Sequence, residues 1–182
     1  MLSQTKLHFA RFEFKYILPR QLREDLEREL NFFMEFDPYV AQREGHQYFV
    51  RSLYFDDPHH TCFYDKIEGL HTRAKFRVRT YTNQRGDQTP QFLEIKGRNN
   101  NLVIKHRTPI DVSSEISEEA DDALVSRVLS GLSPGKVGDR FQYELYKKRL
   151  RAVALVDYVR RPYVSKLDSE FRLTFDSELQ GT

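Results

Sequence analysis

Residues 72–82, TRAKFRVRTYT, alternate strictly: Lys75, Arg77 and Arg79 fall on one side, Phe76 and Val78 on the other. Successive side chains of a strand point to opposite faces, so period two over this length reads as a strand with one cationic face. The same split repeats outward from this segment. Downstream, 90–97 (PQFLEIKG) sets Glu94 and Lys96 opposite Leu93 and Ile95, and 101–110 (NLVIKHRTPI) sets Lys105 and Arg107 opposite Ile104. The polar runs NQRGDQ and GRNNN between these segments are turn signals, so an antiparallel meander is the natural topology. Upstream, 8–18 (HFARFEFKYIL) divides into Phe12, Phe14 and Tyr16 against Arg11, Glu13 and Lys15. Residues 47–55 (QYFVRSLYF) form an aromatic-rich strand, stopped by the turn signal Asp56-Asp57-Pro58. Near the end, 152–160 finishes at Arg160, and 170–176 sets Arg172, Thr174 and Asp176 against Phe171, Leu173 and Phe175.

Helical spacing accounts for most of the remainder. After Pro19, which suits a helix's first turn, Leu22, Leu26, Leu30 and Phe33 mark an amphipathic helix over 20–34 whose leucine stripe reads as core. A second helix runs from Ser117 with its acidic first turn to Gly131, and a third covers 139–150. The expected architecture is one α+β domain over 1–182, dominated by antiparallel strands. The chain has 182 residues, 31% of them charged, and a mean hydropathy of −0.67. It holds no apolar run of the roughly 18 residues that a membrane helix needs. With no signal-like start and a single cysteine, Cys62, a cytoplasmic protein without an intramolecular disulfide is expected. Adjacent His59 and His60 would point apart on their turn and read as plain loop residues.

The formal net charge is only +2, but its distribution is uneven. The strand faces collect ten basic residues: Arg11, Lys15, Lys75, Arg77, Arg79, Lys96, Lys105, Arg107, Arg160 and Arg172. Three acidic ones join them: Glu13, Glu94 and Asp176. The faces thus carry about +7 and the rest of the chain about −5. Like charges opposite one another on neighbouring strands repel, so an anion is expected on this face. Arginine forks grip phosphate oxygens in pairs and lysines add point charges between them, which suits a triphosphate or a longer phosphate chain. Sheet-based readers of nucleic acid place aromatic rings on the binding face to stack bases. Of Phe76, Phe92, Phe171 and Phe175, only Phe92 shares the basic face, so no nucleic-acid partner is expected. A solvated basic sheet face for an acidic partner would show the same alternation. Periodicity does not fix whether the face lines a barrel or meets water.

The order Arg11-x-Glu13-x-Lys15-Tyr16 followed by Val50-Arg51-Ser52-Leu53-Tyr54-Phe55-Asp56 resembles the VTC domain of the CYTH-like triphosphate tunnel metalloenzymes. So do Arg73, Lys75, Arg77, Arg79 and Tyr81 at alternate positions, then Leu93-Glu94-Ile95-Lys96 and Lys105-His106-Arg107. Tyr158-x-Arg160-x-x-Tyr163 and Arg172-Leu173-Thr174-Phe175-Asp176 complete the series, in order over nearly the whole chain. The resemblance implies an antiparallel β-barrel with a basic lumen and flanking helices. It implies a polyphosphate polymerase that moves the terminal phosphoryl group of ATP onto a growing polyphosphate chain. Lys15, Arg77, Arg79 and Lys96 would be catalytic, and Lys75, Lys105, Arg107, Arg160 and Arg172 would bind phosphate. Glu13 and Glu94 would hold Mn²⁺ or Mg²⁺. ATP, polyphosphate and tripolyphosphate are the implied ligands. Arg11 stands where many tunnel hydrolases and cyclases carry a first glutamate, which favours the VTC branch. Family members continue past the 172–176 strand, so a barrel lacking its last strands is expected. A triphosphatase on the same scaffold and a non-catalytic polyphosphate-binding module are the alternatives. Alanine at Arg77, Arg79 or Lys96 is expected to abolish triphosphate binding and leave the fold intact.

Overall fold

A computed structural model describes residues 8–82, 89–100, 102–110, 122–132 and 135–182. Backbone contacts divide the chain into two compact units, with boundaries at Arg51 and after Val156. The first comprises Met1–Glu13, Arg51–Val156 and Gly181–Thr182; the second comprises Phe14–Val50 and Asp157–Gln180.

In the first unit β1 (His8–Phe12), β4 (Thr72–Thr80), β5 (Gln91–Asn99) and β6 (Leu102–Ile110) join β3 (Tyr48–Asp56) in the order β1-β6-β5-β4-β3. The pairings β1–β6, β6–β5, β5–β4 and β4–β3 are all antiparallel, as the meander predicts. Among the described residues β1 pairs with β6 alone, so this hydrogen-bonded path is open rather than a closed ring. The expected strand 8–18 stops at Phe12, which pairs with Leu102, the first residue of β6. Beyond it the alternation continues without a partner strand among the described residues, and Phe14 and Tyr16 stay exposed. Pro109 is tolerated in β6 because β1 reaches only His106, leaving Pro109 paired on the β5 side alone.

Three helices cover one face of this sheet: α2 (Thr61–Ile67), α3 (Asp122–Ser130) and α4 (Lys136–Lys148). Leu53, Phe55, Phe76, Val78, Leu93 and Ile95 from the strands pack with Cys62, Val128, Phe141 and Leu145 from the helices. Phe141, fully buried, meets Phe55 and Phe76 edge-on at ring-centre distances of 5.6 and 5.8 Å. The expected start of α3 at Ser117 lies outside the described residues. The turn expected at Asp56-Asp57-Pro58 is present and leads into α2, a helix that the sequence reading did not include. Asp56 accepts hydrogen bonds from the backbone N–H groups of Cys62 and Phe63 at 2.9 and 3.0 Å, and Asp57 accepts from Thr61 at 3.1 Å. These carboxylates satisfy N–H donors that a helix start otherwise leaves open. Burial and the nearby Asp56 push the Cys62 thiol up to about 12, so it is inert packing.

The strand β7 (Arg151–Ser165) enters the second unit at Asp157 and pairs there with β2 (Met34–Phe36); β8 (Arg172–Gly181), which lies in this unit up to Gln180, also pairs with β7. Met34, Tyr163 and Phe175 form the unit's small core, with Leu30, Phe36 and Leu173 against them. The helix α1 (Arg20–Leu30) is shorter than the expected 20–34, and its leucine stripe is not core: Leu22 and Leu26 are exposed. Its polar side is tied by i,i+4 pairs, Arg20 to Glu24 at 2.9 Å and Gln21 to Asp25 at 3.3 Å. Glu27 takes Arg161 on both carboxylate oxygens at 3.0 and 3.1 Å and lies 3.4 Å from Arg23, linking α1 to β7. No helix among the described residues is long and apolar enough to cross a membrane.

Candidate functional site

With the apolar face of the first sheet under its helices, the charged positions share the opposite face. Register turns that face into rows, because directly paired residues of antiparallel strands lie side by side. Lys75 pairs with Lys96 and Lys96 with Lys105, giving three lysines abreast across β4, β5 and β6. The next row is Tyr54, Arg77, Glu94 and Arg107, and the one beyond it Ser52, Arg79 and Phe92. Six of the expected cations and both expected carboxylates therefore belong to this unit. The side chain of Arg11 lies outside the described part.

The middle rows are withdrawn from water: Arg77 and Arg79 are only 7% and 5% exposed, and Glu94 is 0%. Glu94 receives Arg77 Nε on Oε2 at 2.7 Å, with Arg77 Nη2 2.5 Å from the same oxygen, while Lys105 Nζ meets Oε1. Burial alone would raise the Glu94 carboxyl, but Arg77, Lys105 and Arg79 outweigh it and hold it at about 2. The carboxylate is ionised at any ordinary pH. Lys105 goes the other way. Burial, helped by the neighbouring Arg77 and Arg79 cations, outweighs the attraction of Glu94 and brings its ammonium down to about 7.

The arginines are aimed by neutral neighbours that the strand-face count passed over. Arg77 Nη1 donates to the Tyr54 hydroxyl at 3.0 Å, and Arg79 Nε donates to the buried Ser52 hydroxyl at 3.0 Å. Burial would raise the Tyr54 phenol, yet Arg77, Arg79 and Lys75 together keep it below its ordinary value. Arg107 lies over the Phe92 ring at 4.5 Å and reaches the Tyr81 hydroxyl at 3.4 Å, while its buried Nε finds no acceptor among the described residues. Phe92 thus serves as a platform for a guanidinium. In the middle of the lysine row, Lys96 Nζ donates to Glu13 at 2.8 Å, and both side chains remain about a quarter exposed.

The other three expected cations belong to the second unit. Lys15 is exposed in the segment between β1 and α1. Arg160 makes a two-pronged pair with Asp176, 2.7 Å on each prong. Burial alone would lower its guanidinium, and Asp176 more than offsets that, so Arg160 stays charged. Arg172 donates to Asp37 at 3.1 Å and is half exposed. This unit also contains a cavity of about 450 Å³. Its lining balances Glu24 and Glu27 against Arg28 and Arg161, without the cationic excess that a phosphate chain calls for. Among the described residues no group of three or more His, Cys, Asp or Glu side chains is placed to hold a metal.

The rows define a class: an α+β domain whose antiparallel sheet turns a buried, mainly cationic face away from its helices. The profile of the VTC domain matches residues 10–182, nearly the full length, and the chain belongs to that family. No curated protein matches it. Among solved structures, the crystal structure of a candidate adenylate cyclase from Bacillus halodurans shares 10% identity, covering 94% of this chain and 80% of that one at a TM-score of 0.47. That likeness is too distant to carry weight by itself.

Proposed function

We propose that the cationic rows of the first unit grip the phosphates of ATP and polyphosphate, and that the protein is a polyphosphate polymerase domain. The observation that supports this best is the six cations Lys75, Arg77, Arg79, Lys96, Lys105 and Arg107 on one face with, among the described residues, Glu13 and Glu94 to balance them. The Nε of Arg107, which has no partner among the described residues, is one donor that a phosphate oxygen would fill.

In the reaction the bond between the terminal phosphorus of ATP and its bridging oxygen breaks. A bond forms to the end oxygen of the growing chain, and ADP leaves. Such transfers need in-line positioning and charge neutralisation rather than a protein nucleophile. Arg77, Arg79 and Lys96 would hold the transferring phosphoryl group, with Lys75, Lys105 and Arg107 along the phosphates on either side. Lys15, Arg160 and Arg172 belong to the second unit, and the phosphate-binding part that the resemblance implies for them is proposed for that unit by itself. Mn²⁺ or Mg²⁺, when bound, would supply charge neutralisation to the phosphates, and one or two carboxylates of the chain would hold it. Glu13 fits that part, being partly exposed and paired with a lysine that a phosphate could take over. Glu94 does not fit it, because its two oxygens already receive Arg77 and Lys105 and it has no exposed surface.

The test is incubation with ATP and Mn²⁺ followed by gel analysis for long phosphate polymers. A ladder of polymer supports the reading. Orthophosphate alone would make the protein a triphosphatase, and tripolyphosphate binding without turnover a non-catalytic module.

A further inference from the structure

We propose that Glu94 is a positioning residue, a permanent internal counter-ion that holds Arg77 and Lys105 in place for the phosphate rather than ligating a metal. This rests on the phosphate-binding reading above. Glu94 takes the Nε–Nη2 edge of Arg77, and the Tyr54 hydroxyl takes one proton of Nη1. A guanidinium has five N–H donors. Once those contacts are made, Arg77 can offer a ligand only the remaining protons of Nη1 and Nη2. Its fork is thereby fixed in one direction. The same carboxylate draws Lys105 Nζ from the adjacent strand β6 onto its other oxygen, so one buried anion sets the spacing of two cations. Glu13 differs in its surroundings, since its contact with Lys96 is partly exposed. The two acidic residues of the face therefore have different work.

The sign of one substitution separates the alternatives. Glu94→Gln removes a negative charge, so Coulomb attraction alone would tighten anion binding. Loss of the clamp would weaken it instead. Tripolyphosphate is titrated calorimetrically into wild type, Glu94→Gln and Glu94→Asp, each in EDTA and again in Mn²⁺, with circular dichroism to verify folding. The expected result is binding to the Gln variant weaker by about tenfold in EDTA, the size of one lost charge-assisted hydrogen bond. Mn²⁺ should then enhance binding by the same factor as in wild type. In an Arg77→Lys background, where the fork is already gone, Glu94→Gln should change affinity less than about threefold, since residues acting through one contact are non-additive. A purely structural contribution would instead carry over undiminished.

Tighter binding in EDTA would overturn the proposal, as would loss of the Mn²⁺ enhancement, the mark of a metal ligand. Should the Gln variant fail to fold, the Asp variant decides: it keeps the charge but retracts it, so unchanged metal-free affinity overturns the proposal and weakened affinity upholds it. Wild type that fails to bind tripolyphosphate in either buffer would remove the phosphate-binding reading and this proposal with it. Wild type that binds while the variants disobey removes only the role of Glu94.

Discussion

Replacing Arg77 by alanine should cost stability as well as binding, contrary to the expectation that the fold would be untouched. Arg77 supplies two contacts to Glu94 Oε2, at 2.7 and 2.5 Å, and one to Tyr54 at 3.0 Å. Its removal leaves a fully buried carboxylate with Lys105 as its remaining close cation. A carboxyl held at about 2 instead of its ordinary 4.5 is stabilised by its surroundings by roughly 3 kcal/mol, at about 1.36 kcal/mol per pH unit. Arg77 is the largest favourable contributor to that. Breaking a buried pair by deleting one partner costs about 3–5 kcal/mol, so roughly 3 kcal/mol is the expected loss at pH 7. The pH dependence follows from the depressed carboxyl. Its stabilisation is complete above about 4.5 and is lost as pH falls toward about 2, where Glu94 becomes neutral in folded and unfolded protein alike. Urea denaturation of wild type and Arg77→Ala across pH 2–7 should therefore show a gap that narrows as the pH drops. A gap of constant size, or none at neutral pH, would refute the idea that Arg77 is held by an ionised Glu94.

Lys96→Ala should reduce tripolyphosphate affinity by about tenfold while leaving the melting temperature nearly unchanged, because a partly exposed pair is worth under about 1 kcal/mol to the fold; calorimetry and a thermal melt check both halves. Lys105 loses its proton near pH 7, so tripolyphosphate affinity should fall between about pH 6 and 8, and Lys105→Met should flatten that part of the profile. Phe141→Ala should destabilise the protein by about 3–5 kcal/mol in urea, since the ring is fully buried between Phe55 and Phe76.

Parity along the strands was legible from single residues. The placement of Lys75, Arg77, Arg79, Lys96, Lys105 and Arg107 on one face needs only alternation, and the structure places Phe76, Val78, Leu93 and Ile95 in the core opposite. Register was not legible. That Lys75, Lys96 and Lys105 stand abreast, or that Glu94 lies beside Arg77 and Arg107, depends on how three strands slide past one another. Alternation also outran its support at Phe14 and Tyr16, where a strand pattern persists without a partner strand among the described residues. The seven-residue α2 is too short for helical periodicity, and its signal lay in two aspartates that serve equally well in a turn. Helical spacing correctly located α1 but not its surroundings, for Leu22 and Leu26 remain exposed on a helix with no buried residue.

A crystal structure of the protein soaked with tripolyphosphate reaches the heart of the matter. Phosphate oxygens should lie within hydrogen-bond reach of Arg77, Lys96 and Arg107 on the face away from α4, with Arg107 Nε among the donors. Tripolyphosphate bound on the helix side of that sheet, or anywhere that leaves those three side chains untouched, would contradict the account.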